Sequence, residues 1–438
     1  MPPAGTPDSG WWPQKRSIVQ GWSCNTTKPN TMQLKVILNR VAKQPGFVFD
    51  SVTFVCHRDG TLALHIALRP RQGSHGVCSG CAHKRPGYDR LAQRPFQFVP
   101  LWNIPVWFLY APRRVDCPRC GVVVELMPWA AGKSPITTAF AWFLSSWAKV
   151  LSWTEAARRF ATSWHTVFTA VRHAVEWGRA HMELDGIRCI GVDELSWKKG
   201  HKYLTMVYQI DHHCTRLLWI GRDRTHVTFG RFFDWLGDER SKGIRFVASD
   251  MWKAFLGTVA RRVSSAVHVL DRFHIMQQFS KALDQVRRDD ARRLRAEGDT
   301  VTLKHSRWAL LKRQHHLTEK QSGRLADLLK ETFHAFWGYV SPYWAGRFLD
   351  QWTSDAVHSR IEPMAKLART LRTHRTQLLN WFRARNAFAA GAVEGLNLKA
   401  RVTTRIAYGF RTYEHAETAL YHRLGKLPEP PWLTHKFA

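Results

Sequence analysis

The chain has 438 residues, with 65 Lys and Arg against 34 Asp and Glu, a formal charge of +31 and a hydrophobic fraction of 45%. That fraction excludes a wholly disordered basic tail, and the length allows about three domains at roughly 150 residues each. A surface this cationic suits a polyanion, and nucleic acid is the commonest one in a cell.

Residues 1–31, rich in Pro, Gly, Ser and Trp, show no helical or strand period and are expected to be a disordered leader, or an extension upstream of a start at Met32. They lack the apolar core of a secretory signal. From Met32, MQLKVILNRV is spaced as a short amphipathic helix, and SVTFVCHRDGTLALHIALRP reads as a hairpin turning at Asp59-Gly60. The two longest uncharged stretches, residues 95–112 and 134–148, are either broken by prolines or shorter than the roughly 20 apolar residues of a membrane span. A cytoplasmic, nucleoid-associated protein with no membrane partner is expected.

Cys78 and Cys81 form one Cys-x2-Cys pair and Cys117 and Cys120 a second, with 35 residues between the pairs. Each spacing lets two thiolates point at one ion from a tight turn, and two such turns supply the four soft ligands of a closed, structural Zn²⁺ site. The intervening FQFVPLWNIPVWFLYAPRRV alternates like paired strands that would bring the two turns together, so residues 32–130 are expected to be a zinc-ribbon domain. His75 and His83 read as surface residues beside a complete ligand set.

Residues 135–182 carry helix-turn-helix grammar. Thr154 is placed to cap a first helix, TEAARRFA, and Thr162-Ser163 to form the turn and second cap. The second helix would then offer His165, Thr166, Thr169 and Arg172 to DNA. An ordinary helical hairpin is the bland alternative.

From Ile187 the period changes to strands. IRCIGVD, KYLTMVYQID and RLLWIGRD are joined by short turns; VTFGRFFDWLG is helical; IRFVASD, a helix MWKAFLGTVARR and SAVHVLDRFHI follow. That order matches an RNase H-like α/β domain. Asp193 is expected to end its first strand and Asp250 its fourth. These strands lie side by side in such a sheet, so the two carboxylates, 57 residues apart, would meet at one edge. Paired divalent ions for phosphoryl transfer need a third carboxylate. Glu394 is the choice, in a helix-like stretch approached by the small residues Ala389, Ala390, Gly391 and Ala392. Glu194, Asp211, Asp223 and Asp234 compete with these acids and Asp271 is the best competitor, while Asp271, His274 and Asn397 are candidates to support the ligands. Trp197 and Trp252, near the carboxylates, are read as core residues, with stacking on flipped bases as the alternative.

The ordered set of two Cys-x2-Cys pairs, a helix-turn-helix, GVDE, SDMWKAF, LDRFHIM and VEGLNLKARVTTRIAYGFR resembles the ISL3 family of bacterial insertion-sequence transposases, of the DDE type, over roughly residues 32–424. The resemblance implies that Asp193, Asp250 and Glu394 are the catalytic ligands of Mg²⁺ or Mn²⁺. It also implies a helical insertion within the 144 residues separating Asp250 from Glu394, and three helix-like stretches there agree. The resulting fold class is multidomain α+β: an N-terminal zinc ribbon and helix-turn-helix, then an RNase H-like catalytic domain (187–274 and 386–425) interrupted by a helical insertion (275–385), with a tail at 426–438.

The expected reaction is metal-dependent cleavage of double-stranded DNA at the element ends and joining to target DNA, performed by a homodimer or higher oligomer. Lys198 and Lys199 follow the first Asp, Arg288 and Arg292 lie on a basic helix face of the insertion, and Lys399, Arg405 and Arg411 follow Glu394; all are expected to meet phosphates. A DNA-binding regulator without enzymatic activity and a structure-specific nuclease of the same fold are the competing readings.

Overall fold

The computed structural model describes residues 32–56, 60–198, 200, 202–296, 325–359, 361–384, 387–388 and 391–431. The expected leader at 1–31, Lys199 and the end of the tail lie outside these residues. The fold is mixed α+β and divides into two compact units, one of residues 1–148 and 154–167, the other of residues 149–153 and 168–438. Among the described residues, no helix is long and apolar enough to cross a membrane.

In the first unit, helix α1 (Met32–Val41) precedes β1 (Phe47–Cys56) and β2 (Leu62–Pro70), an antiparallel pair with Gly60 at φ +78° in the turn between them, as the hairpin pattern predicts. β6 (Arg94–Leu101) and β7 (Ile104–Tyr110) turn through Trp102 and Asn103 and complete a sheet of order β1-β2-β7-β6. Its buried face gathers Phe49, Ile66, Phe96, Val106 and Phe108.

β6 and β7 pair as the alternation predicts, and their antiparallel pairing continues outward from Arg90–Arg113 to Gly87–Val115, toward Cys117. Two smaller sheets surround the cysteines. β3 (Gly76–Val77) pairs with β4 (Lys84–Arg85), and β8 (Arg113–Cys117) lies between β5 (Gly87–Arg90) and β9 (Gly121–Val124). Glu125, buried, fastens this region: Arg113 donates to its Oε2 from Nε at 2.9 Å and Nη2 at 2.6 Å, and the Tyr110 hydroxyl donates to Oε1. A paired and hydrogen-bonded carboxylate avoids the penalty of an isolated buried charge.

Three helices follow: α2 (Thr138–Ala148), α3 (Trp153–Arg159) and α4 (Trp164–Ala180). α3 already includes Thr154, so this threonine is not its cap. Ser163 does cap α4, its Oγ accepting from the Thr166 N–H at 3.0 Å.

The second unit is built on a sheet of order β12-β11-β10-β13-β14. β10 (Cys189–Lys198), β11 (Lys202–Asp211) and β12 (Cys214–Arg222) form an antiparallel meander; β13 (Phe246–Ser249) and β14 (Val267–Leu270) run parallel to β10. Parallel neighbours need crossovers. These are α5 (His226–Leu236) with the short α6 (Asp238–Lys242), and α7 (Lys253–Arg262). Phe229, Phe232, Phe233 and Phe255 are all almost fully buried between these helices and the sheet. Burying each phenyl contributes about 1.5–3 kcal/mol.

A separate helical core joins α8 (Arg272–Ala296), α9 (Leu325–Phe336), α10 (Pro342–His358), α11 (Glu362–Thr373) and α12 (Arg375–Arg383) around Phe279, Phe333, Phe336 and Trp352. The chain then returns to the sheet through α13 (Ala392–Ile406) and α14 (Tyr413–Leu424). Gly391 precedes α13 at φ +79°, a conformation that favours glycine.

Candidate active site

β10 is the key strand. It runs on to Lys198, so Asp193 stands in its middle rather than at its end. The reason is a long hairpin: β10 and β11 stay paired from Ile190–Gln209 to Lys198–Lys202. The parallel neighbour β13 stops at Ser249, with Gly191 opposite Ala248, so Asp250 emerges beside Asp193 where parallel pairing ends. The adjacency of the two strands is as expected.

Both carboxylates line one pocket of about 500 Å³. Asp193 is buried, its Oδ1 accepting from the Glu194 N–H at 2.7 Å, and Asp250 Oδ1 accepts from the Trp252 N–H at 3.0 Å. His274, on the first turn of α8, lies between two acids, with Nε2 3.7 Å from Asp193 Oδ2 and Nδ1 3.2 Å from Asp271 Oδ2. Burial pushes the Asp193 carboxyl up to about 6 and also raises Asp250. Burial opposes a charge on His274, but the hydrogen bond to Asp271 and the nearby Asp193 lift it to about 9. The pocket therefore concentrates negative charge that an imidazolium partly offsets, and such a site attracts hard cations.

α13 lies across β10. Gly191 leaves the space that Val393 fills: a Cβ there would stand 2.3 Å from Val393 Cγ2. One turn later the buried Asn397 donates from Nδ2 to Asp193 Oδ2 and accepts at Oδ1 from the Tyr208 hydroxyl at 2.5 Å. Asn397 thus touches the Asp193 carboxylate directly. Tyr208 went unnoticed in the sequence because it sits inside an apolar strand run, 189 residues from its partner.

Glu394 occupies the first turn of α13, one turn before Asn397, and is exposed; it does not line the pocket. Among the described residues, the cysteine quartet is the one group of three or more His, Cys, Asp or Glu whose ligand atoms all lie within 4.8 Å of one another. The carboxylates of Asp193, Asp250 and Glu394 form no such group. Of the competitors, Asp211 accepts from the Cys189 N–H at 3.1 Å and the Gln209 amide at 2.8 Å, Asp234 pairs with Arg262, and Asp223 sits in a turn at φ +75°. Glu194 is engaged by Arg224 at 2.9 Å.

The four cysteine sulfurs converge in the first unit, with Cys81 and Cys117 Sγ 3.6 Å apart. Four sulfurs about 2.3 Å from one ion in tetrahedral array stand about 3.8 Å apart, so the quartet fits a zinc-sized ion. A hydrogen bond from the backbone at His83 lowers the Cys81 thiol to about 6, favouring the ligating thiolate. Gly80 is required by packing, since a Cβ there would meet Cys120 Sγ at 2.8 Å.

The residues expected to contact DNA differ in exposure. His165 is exposed and Thr166 half-buried at the start of α4, while Thr169 is half-buried with its hydroxyl oxygen buried. Arg172 pairs with Glu414 at 3.0 Å. Lys198, Arg288, Arg292, Lys399, Arg405 and Arg411 are exposed. Arg288 donates to Gln285 at 2.8 Å and Arg292 lies 3.6 Å from Asp289. Trp197 packs beside Phe410 and Ala416 as a core residue should, whereas Trp252 is 41% exposed and is not core.

A family model for transposases of the DDE ISL3 type matches residues 190–420. The chain is 32% identical over 384 residues to the transposase for insertion sequence element IS1557 of Mycobacterium tuberculosis, an alignment covering 79% of this chain and 85% of that protein. It is also 27% identical over 354 residues to the transposase for insertion sequence element IS1001 of Bordetella parapertussis, covering 77% and 86% respectively. With a family match over more than half its length and relatives aligned across most of both chains, the protein belongs to the ISL3 family of insertion-sequence transposases.

Proposed function

We propose that this transposase binds double-stranded DNA at the ends of its element and catalyses strand cleavage and strand transfer in an RNase H-like domain, with Asp193, Asp250 and Glu394 holding two Mg²⁺ or Mn²⁺ ions. The observation that carries the reading is the convergence of Asp193 and Asp250 from adjacent parallel strands into one pocket. When bound, the ions activate the attacking oxygen and neutralise charge on the leaving one. The chain's own residues hold and orient: Glu194 N–H and Asn397 fix the Asp193 carboxylate, and the Trp252 N–H fixes Asp250. α13, seated on Gly191, carries Glu394 in its first turn, and Glu394 would be the third carboxylate to hold the ions. Water attacks the phosphodiester at each end, and the freed 3′-hydroxyl then attacks target DNA in line.

A specific observation favours a second choice for the third ligand. Asp271 directly follows β14, its N–H donating to the Ser249 carbonyl at 2.9 Å, and shares His274 with Asp193. Measuring Mg²⁺-dependent cleavage of a terminal-repeat duplex separates the two. Glu394→Gln should abolish cleavage while Asp271→Asn lowers it; the reverse ranking would transfer the role to Asp271. Asp193→Asn and Asp250→Asn should be inactive in either case, and cleavage by them would leave a DNA-binding regulator as the surviving alternative.

The first unit, with Zn²⁺ on Cys78, Cys81, Cys117 and Cys120 as a structural ion, and the helices α3 and α4 supply end recognition, while Lys198, Arg288, Arg292, Lys399, Arg405 and Arg411 meet phosphates. Two ends must be held together for joining, so the working form is a homodimer or larger.

A further inference from the structure

The acidic pocket keeps aromatic surface open that phosphoryl transfer itself leaves unused. Trp252 is 41% and Phe273 40% exposed, and both line the pocket that contains Asp193 and Asp250. The indole is held in place. Its N–H donates to the Arg224 carbonyl at 3.0 Å, and the Arg224 guanidinium lies 4.7 Å from its ring centre. Arg224 is fixed in turn, donating to both Glu194 carboxylate oxygens at 2.9 Å and lying 4.1 Å from the Tyr203 ring centre. One end of the indole is thus anchored by a charged, stacked layer while much of the ring stays open.

A rigid ring presented to solvent loses little freedom on stacking. The remaining walls are polar: Gln277 and Gln278 on α8 each offer amide donors and an acceptor, and Lys281 and Arg401 bring positive charge to a pocket otherwise rich in acid. The volume of about 500 Å³ falls within the ~300–1,000 Å³ usual for sites that enclose a small aromatic group. Duplex DNA hides its base faces within the stack, so only a base that has left the stack can use such a ring.

We propose that Trp252 and Phe273 form a stacking platform for one unpaired nucleobase adjacent to the phosphodiester held at Asp193 and Asp250, with Gln277 and Gln278 meeting the polar edge of that base. The inference rests on the reading of this pocket as the site of DNA cleavage and adds a base-binding subsite to it.

The test uses the full-length protein and terminal-repeat duplexes carrying 2-aminopurine at one position at a time on either side of the cleavage site, with Ca²⁺ in place of Mg²⁺. One position should brighten several-fold on binding. The signal should vanish with Trp252→Ala and persist with Trp252→Phe. Cleavage in Mg²⁺ by Trp252→Ala should fall about 5- to 150-fold, the range covered by loss of one base–aromatic stack, and should recover when the brightening position is mismatched. If Trp252→Ala does not fold, the position scan on the wild-type protein and on Phe273→Ala decides. Wild-type cleavage with no brightening at any position, or unimpaired cleavage by a folded Trp252→Ala, would overturn the platform. A wild-type protein that fails to cleave the unmodified duplex would instead remove the reading of the pocket on which it rests.

Discussion

Gly191→Ala is the substitution that tests most sharply how the site is held. A Cβ at position 191 would stand 2.3 Å from Val393 Cγ2, whereas ordinary contact begins near 3.4 Å, so α13 must retreat by about 1.1 Å or the strand must bend. Val393 is β-branched and on a helix, which leaves it essentially one rotamer and no easy escape. Overpacking of this kind costs about 1–3 kcal/mol. The same retreat pulls Asn397 away from Asp193 and displaces Glu394, and a misplacement near 1 Å can lower a rate by ~10²-fold. Urea unfolding and Mg²⁺-dependent cleavage of a terminal-repeat duplex read the two effects separately, with end binding retained. Adding Val393→Ala removes the clashing methyl and should restore most of the activity. A Gly191→Ala protein as active as wild type, or a double variant that shows no recovery, would refute the argument that this contact sets the height of α13 over β10.

Asn397→Ala leaves the buried Tyr208 hydroxyl and one Asp193 oxygen without their partner and should destabilise the protein by about 1–3 kcal/mol, against about 0.5–1.5 kcal/mol for Tyr208→Phe, where a single bond is lost; equal losses in urea unfolding would contradict the chain of bonds described. Divalent-ion binding, followed by calorimetry, should tighten as pH rises from about 6 to 9, because the Asp193 proton and then the His274 charge are removed along that range. Each proton displaced allows at most about tenfold per pH unit, and pH-independent affinity would show that neither group faces the ion. Cys78→Ser should reduce tightly bound zinc from one ion per chain to none, as measured by atomic absorption, and weaken end binding; unchanged zinc content would place the ion elsewhere.

The parts of the fold that rest on local pattern were legible in the sequence. Apolar runs located the strands of the five-stranded sheet, and the order of strands and helices placed Asp193 on a strand beside the one that Asp250 follows. Ligand spacing alone assembled Cys78, Cys81, Cys117 and Cys120. What failed to show was set by distant pairing. The extent of β10 beyond Asp193 depends on β11, and the small sheets that position the cysteines depend on Glu125, which lies beyond both cysteine pairs. Thr154 carries cap chemistry, yet α3 begins one residue earlier, since a cap requires a backbone geometry that composition does not specify. Trp252 was read as core because large aromatics usually are; its exposure follows from the pocket it borders.

The central claim is that Asp193, Asp250 and Glu394 gather two divalent ions at one end of the sheet. Anomalous scattering from Mn²⁺ in crystals of the complete protein bound to a terminal-repeat duplex tests it directly. Two manganese peaks about 3.5–4 Å apart are expected, held by Asp193, Asp250 and Glu394. Peaks lying away from Asp193, or ions at Asp193 and Asp250 with Glu394 still turned outward, would contradict it.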